Sequence, residues 1–503
     1  MRARSALLSS AAVALGLMLV YLTTMAPSLT WAHHGADGGD LAAAVALGSL
    51  PHPPGFPVYL LLAHVFAALP WGDLAWRLNL MSAVLAAGAA AVASAGVHGS
   101  VAPATANPPE GRRAEGQWRA ISALCAGLSL GLAPILWSQA LIAEVYTAAA
   151  FFASLTLLLV LRRSPAWACG LAIGVGMGAH PTLVFLAPLA ACVAWERGRT
   201  GLERRLAAAC GAILAGWSVA YALILPLLAG TPSPWGEVSS VQSWWSYVSG
   251  QLYSGYVFGL PLAALAGRSI SWLSLLARQF TPVGGLLVVA GFSRLWVRRR
   301  SLALSSVVAF VCFSVYAIGY DTADSLVYLV PALPLAALWL AFGLAEAVAW
   351  LAPRVGRVAS ASLLALPLLQ AVLYWARMDV SHDRTAVEWA RTTLIEAPAD
   401  AVLVTASDGQ TFALWYALSL FDERPDLVVV DRDLWPRPSY RRIVAEQMGI
   451  NGPPDYPSPE AAAADAGRQV IYVSPDEAAE RSSVREEAAE TYWKRQGVHV
   501  WLF

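Results

Sequence analysis

Long apolar runs, repeated down most of the chain, constrain its fold more than anything else. They lie near 6–25, 77–97, 120–137, 145–161, 166–182, 184–195, 206–229, 281–297, 302–319, 326–349 and 357–376. A bilayer core takes roughly 20 apolar residues per helix. In lipid a backbone N–H or C=O must find its partner within the protein, which leaves the helix as the form for such runs. The pattern therefore predicts a polytopic α-helical membrane protein with about 11 spans. Charged residues make up only 13% of the 503, where a soluble domain carries about 25%.

Arginines orient the expected spans, because short cytoplasmic loops collect positive charge. Arg2 and Arg4 precede the first run, Arg112, Arg113 and Arg119 follow the second, and Arg162 and Arg163 follow the fourth. Arg197, Arg199, Arg204 and Arg205 follow the sixth, Arg298 to Arg300 the eighth, and Arg354 and Arg357 the tenth. Every second loop is basic. This predicts a cytoplasmic N-terminus and, with an odd number of spans, a C-terminus outside. The first run is long for a signal peptide and lacks a small-residue cleavage site, so a retained helix is expected. Lys plus Arg and Asp plus Glu both number 33, so no basic excess points to nucleic acid. The five cysteines all sit in apolar runs and form no ligand-like spacing, which makes them small buried hydrophobes.

Polar chemistry gathers in the other set of loops. The first, about 26–76, carries Trp31-Ala-His-His-Gly-Ala-Asp37-Gly-Gly-Asp40 and then Pro51-His52-Pro-Pro-Gly55-Phe-Pro-Val-Tyr59. Ionisable groups at a membrane's edge are costly and mark a functional site by default. Asp37 and Asp40 are three apart and would share a helix face, although Gly38 and Gly39 put the continuity of that helix in question. The bland reading makes Asp40 the N-cap of a helix over 41–47 and leaves Asp37 solvated. The functional reading is a general base that takes the proton of an acceptor hydroxyl, or two carboxylates sharing a divalent cation. His52 sits in a rigid Pro/Gly turn, which suits a residue that must be aimed. His33, His34 and His52 lack zinc-like spacing. Residues 59–69 read as an interfacial helix. Glu144 in Ala-Glu-Val-Tyr146 reads as a snorkelled anchor or as a site group. Trp244, Trp245, Tyr247 and Tyr253 read as an aromatic belt or a sugar platform.

Beyond residue 377 charges become frequent. Residues 401–405 and 427–430 read as buried strands around a helix at 411–421, a rhythm that suggests a parallel sheet. Residues 470–473 and 498–503 read as further strands, with 475–495 mostly helical. The expected division is a transmembrane domain over 1–376, with its site in loop 26–76, and a soluble α/β domain over 377–503.

These segments resemble the bacterial DUF2723 family, relatives of the TMEM260 protein O-mannosyltransferase within the GT-C class of membrane glycosyltransferases. The likeness runs through Asp37-Gly-Gly-Asp40-Leu-Ala-Ala-Ala, Pro51-His-Pro-Pro-Gly-Phe-Pro-Val-Tyr59, Trp76-Arg77-Leu-Asn79 and Trp137-Ser-Gln-Ala-Leu-Ile-Ala-Glu-Val-Tyr146. It continues in Gly178-Ala-His180, Trp235-Gly-Glu237, Asp408-Gly-Gln-Thr-Phe-Ala-Leu-Trp-Tyr416 and Arg424-Pro-Asp426. The resemblance implies a GT-C-like fold and transfer of a sugar, mannose by analogy with the animal relative. Donor would be a polyprenyl-phosphate sugar, and acceptor a protein, lipid or glycan hydroxyl. Transfer would occur on the outer face of a bacterial inner membrane, usually with inversion. It implies Asp37 as base, with Asp40 in place of the family's Glu, supporting the base or helping to hold a divalent cation. His52 and Arg77 would meet the donor phosphate, and Tyr59, Glu144, Tyr146, His180 and Trp235 would line the substrate pocket. A non-catalytic component of polysaccharide export or a lipid-sugar flippase are the competing readings.

Overall fold

A computed structural model describes residues 2–101, 111–231, 233–236, 238–355, 362–421, 424–450 and 455–473. The first loop is built by three short connections around helices α1 (Arg2–Thr24), α2 (Asp37–Leu47), α3 (Pro57–Ala67) and α4 (Leu74–Ser100). α1 joins the core through Val13, Leu17 and Tyr21, all fully buried. The Tyr21 hydroxyl donates to the Gly131 carbonyl at 2.7 Å. α4 is alanine-rich, with Ala83, Ala86, Ala87, Ala90 and Ala93 buried, and small side chains of this kind let membrane helices approach closely. The helices Thr281–Arg298 and Leu333–Val355 cross at two glycines. A Cβ on Gly291 would stand 1.7 Å from the Trp339 carbonyl oxygen, and one on Gly343 would stand 1.9 Å from that of Leu287.

Among the described residues, five helices are long and apolar enough to cross a membrane: Arg4–Thr24, Leu74–Ser100, Leu202–Leu228, Arg300–Gly319 and Ser325–Leu351. Two bent pairs raise the number to 7 if each is one span. This is fewer than the eleven runs predict, and the reason is local. The run at 120–137 breaks by 64° between Gly131 and Pro134, where proline cannot donate to the helix ladder. The runs at 145–161, 166–182 and 184–195 become the shorter helices Tyr146–Leu161, Ala166–Gly176 and Pro181–Glu196. The last expected run corresponds to the helix Ala365–Met378, and part of it falls outside the described residues.

The C-terminal part holds a three-stranded parallel sheet: β1 (Val402–Thr405), β2 (Val428–Asp431) and β3 (Val470–Tyr472), in the order β2-β1-β3. Val402 is in register with Val428 on one side and Val470 on the other. β1 and β2 are buried throughout, as their unbroken Val/Leu runs require of a parallel sheet covered on both faces. The strand expected at 498–503 and the helix at 475–495 lie outside the described residues. This part docks on the first loop. The Val380 N–H reaches the Thr24 carbonyl at 3.0 Å, and the Ala75 N–H donates to the Tyr416 hydroxyl at 3.0 Å. The helix Asp408–Phe421 lies on α2 so closely that a Cβ on Gly39 would stand 2.5 Å from the Phe412 carbonyl oxygen.

Candidate active site

α2 begins at Asp37 and runs unbroken through Gly38 and Gly39, so both aspartates occupy its first turn. Asp40 is therefore not the cap of a shorter helix. The glycines cost helix stability, but Gly39 leaves no room for a Cβ against the Phe412 backbone, and a Cβ on Gly38 would be tight, 3.2 Å from the Ala143 carbonyl oxygen. The two carboxylates consequently take different environments. Asp40 is 3% exposed, whereas the Asp37 side chain keeps 35% of its surface open.

Asp40 is filled by three donors. Its Oδ2 accepts the backbone N–H of His52 at 2.7 Å and the ring Nδ1–H at 2.8 Å, and its Oδ1 accepts Trp235 Nε1–H at 2.8 Å. Hydrogen bonds to a buried carboxylate are among the stronger kinds, and together these aim the imidazole. The turn that carries His52 is itself held from outside. Its carbonyl accepts the Gly55 N–H at 3.0 Å, and Tyr247 donates its hydroxyl to the Pro51 carbonyl. His52 Nε2 then points at Asp37, 3.6 Å from Oδ2. That is an ionic contact too long for a hydrogen bond, which leaves the Nε2 proton available to a ligand.

Burial alone would lower the His52 ring, but the charge of Asp37, the hydrogen bond and charge of Asp40 and the charge of Asp408 outweigh it and hold it at about 9. Burial raises Asp37, partly offset by His52 and reinforced by Asp324 and Asp40. At neutral pH His52 is an imidazolium, and the Asp37 carboxyl beside it has raised basicity.

Asp37 and His52 share a cavity of about 470 Å³ with Tyr146, His180, Asp324 and Asp408, a volume suited to a small-molecule ligand. His180 caps the turn Pro181–Leu186, accepting the Thr182 N–H on Nδ1 at 3.4 Å. Its ring sits 5.5 Å from that of Tyr146 and 5.4 Å from that of Tyr328. Tyr316 and Tyr320 pack on Tyr328 at 5.3 and 5.1 Å, and Tyr253 and Tyr256 extend the aromatic wall. Three carboxylates, Asp37, Asp324 and Asp408, face one cationic ring, and no Lys or Arg is among the described residues lining the cavity.

Several residues expected in the pocket lie elsewhere. Arg77 spends its guanidinium on three carbonyls, those of Ala67 at 2.7 Å and of Trp71 and Gly72 at 3.0 Å, closing the loop between α3 and α4. Tyr59 is fully buried behind the wall. Trp235 serves Asp40 rather than the cavity. Glu144 is 2% exposed, and burial, then the charges of Asp37 and Asp324, push its carboxyl well above the usual carboxylate range. The cation held between Asp37 and Asp40 does not fit this geometry. Both oxygens of Asp40 already accept N–H groups, and no group of three metal-ligating side chains occurs among the described residues. His33 turns away, with Nε2 3.2 Å from the Met378 carbonyl. Sequence reasoning gives neither Asp324 nor Asp408 a site role, although Asp408 opens one of the family-like segments. For Asp324 the signal is weak, an acid just after an apolar run; for Asp408 it is the family-like segment it opens.

Residues 37–200 match the family model for the N-terminal domain of protein O-mannosyl-transferase TMEM260. That stretch takes in Asp37, Asp40, His52, Tyr146 and His180, but not Trp235 or the C-terminal part. The mouse protein O-mannosyl-transferase TMEM260 is 36% identical over 88 residues, 17% of this chain and 12% of the relative's length. Two solved structures share the fold. ArnT from Cupriavidus metallidurans, bound to undecaprenyl phosphate, superposes with a TM-score of 0.50 at 15% identity, over 85% of this chain and 90% of that one. The Archaeoglobus fulgidus oligosaccharyltransferase gives a TM-score of 0.50 at 13% identity, over 88% and 67%. The chain thus has the fold of the GT-C membrane glycosyltransferases.

Proposed function

We propose that this protein is a membrane glycosyltransferase that moves a sugar, mannose in the first instance, from a polyprenyl-phosphate donor to an acceptor hydroxyl. The reading is carried by the Asp37–His52 pair, a basic carboxylate and a fixed cation side by side in one cavity. Asp37 takes the proton of the acceptor hydroxyl as its oxygen bonds to the anomeric carbon. The bond from that carbon to the phosphate oxygen breaks, and the electron pair leaves on polyprenyl phosphate. His52 Nε2–H meets the charge that develops there, the kind of fixed electrostatic stabilisation that catalysis relies on. A single cation among three carboxylates suits the one negative charge of a phosphodiester donor better than a diphosphate. Attack from the side opposite the leaving phosphate inverts the anomeric centre.

The undecaprenyl phosphate bound by the similarly folded ArnT supports the donor class, and the match to TMEM260 supports mannose and O-linked transfer. Alternating basic loops support a cytoplasmic N-terminus, a site on the outer face of a bacterial inner membrane, and an α/β domain over 377–503 on that same face. The test is Asp37→Asn in the purified full chain, supplied with radiolabelled undecaprenyl-phosphate mannose. Sugar transfer should fall by about 10²–10⁴-fold, the contribution of a general base, while thermal stability is kept. Undiminished transfer removes Asp37 as the base. Donor scrambling across liposomes without any new glycosidic bond makes the protein a flippase instead.

A further inference from the structure

The helix that follows the central strand of the parallel sheet reaches the cavity with Asp408 and Phe412. The order β2-β1-β3 places β1 centrally, with β2 and β3 reached on opposite sides. In open α/β sheets the crevice beyond the carboxyl end of such a strand is where ligands bind. β1 ends at Thr405, and three residues on Asp408 opens the next helix and lines the cavity.

The backbone around Asp408 is fixed from several directions. Thr405 Oγ1 lies 2.6 Å from Thr411 Oγ1, and Thr411 donates to Asp431 Oδ2 at 2.7 Å. Asp431 Oδ1 accepts the N–H groups of Asp433 and Leu434 at 2.8 and 3.0 Å. The neighbouring Gly409 carbonyl accepts Trp31 Nε1–H at 3.0 Å, and Gly39 lets the whole helix lie against α2. Yet the Asp408 carboxylate, open to the cavity, has no hydrogen-bond partner among the described residues. Partial desolvation at the cavity wall, then the charges of Asp37 and Asp431, raise it to about 7. A rigidly mounted acid with free acceptor oxygens is poorly suited to an anionic lipid phosphate. It suits the hydroxyls of a second substrate, and it reaches the cavity from the soluble part, whereas a lipid donor arrives through the membrane helices.

We propose that Asp408 binds the acceptor: its carboxylate accepts hydrogen bonds from a neutral, hydroxyl-bearing acceptor entering along the carboxyl edge of the sheet. With Asp37 and Asp324 it turns away acceptors that carry acidic groups. This rests on the glycosyl-transfer reading above. The test uses the full chain in nanodiscs, undecaprenyl-phosphate mannose, and threonine peptides flanked by neutral, Lys or Glu residues. Asp408→Asn should raise the KM for the neutral peptide tenfold or more, leave the donor KM within twofold, and narrow the preference for neutral over Glu-flanked peptide. Asp408→Glu, which keeps the charge, should restore that preference. An unchanged acceptor KM and unchanged discrimination in Asp408→Asn overturn the proposal, as does a rise confined to the donor KM. Full transfer by Asp37→Asn would sink the underlying reading instead, a separate outcome.

Discussion

Asp40→Asn is the perturbation that most sharply separates the two aspartates. The carboxylate receives three N–H groups, and a carboxamide keeps only one accepting oxygen. Whichever way it turns, its NH2 faces at least one buried donor. Removing one partner of a buried ion pair costs about 3–5 kcal/mol, and that loss is expected at pH 7. His52 also loses the hydrogen bond and the charge of Asp40, while the charge of Asp37 remains. In the folded protein the ring sits at about 9 against an ordinary 6.5, a preference for the charged ring worth about 3 kcal/mol. Because the folded value is raised, this stabilisation is complete below pH about 6.5 and fades as pH rises through about 9. If the ring falls back to 6.5 in the variant, its charged fraction at pH 8 drops from about 0.9 to about 0.03, roughly thirtyfold. The assay is donor turnover as a function of pH, alongside thermal unfolding of the same detergent-solubilised samples. The alkaline limb should move down from near 9 toward about 7, and lowering the pH should recover part of the rate. An alkaline limb still near 9, with wild-type thermal stability, would refute the reasoning.

Three further outcomes follow from the geometry. Arg77→Ala should lower stability by about 1.5–3 kcal/mol through its lost charged hydrogen bonds and leave the donor KM unchanged, whereas a phosphate-binding arginine would raise that KM. Gly39→Ala should drive α2 from the Asp408 helix, lowering both the melting temperature and transfer, at about 1–3 kcal/mol for overpacking. Gly285→Ala, where a Cβ meets nothing within 4 Å, serves as the neutral control. Glu144→Gln should change turnover less than twofold, because the carboxyl is buried away from the cavity lining; a large loss would give Glu144 a role in the reaction.

The apolar runs alone determine that this is a helical membrane protein, because unpaired backbone groups are intolerable in lipid. The buried Val/Leu strands near 402 and 428 were equally legible, since a parallel sheet covered on both faces demands unbroken apolar residues. The family-like segments around Asp37 and His52 lead to the candidate site. Tertiary structure alone decided what each residue does there. Asp37 and Asp40 are chemically alike and share one helical turn, yet Trp235, far along the chain, fills one oxygen of Asp40, and the His52 turn fills the other. Arg77 reads as a phosphate ligand until three local carbonyls are seen to claim it. Asp408 reaches the same cavity through a glycine contact between helices that are distant in sequence. Helix and strand propensities are local and periodic, so sequence displays them. Hydrogen-bond partners and desolvation depend on which distant segments come to rest against a side chain, and only the folded chain decides that.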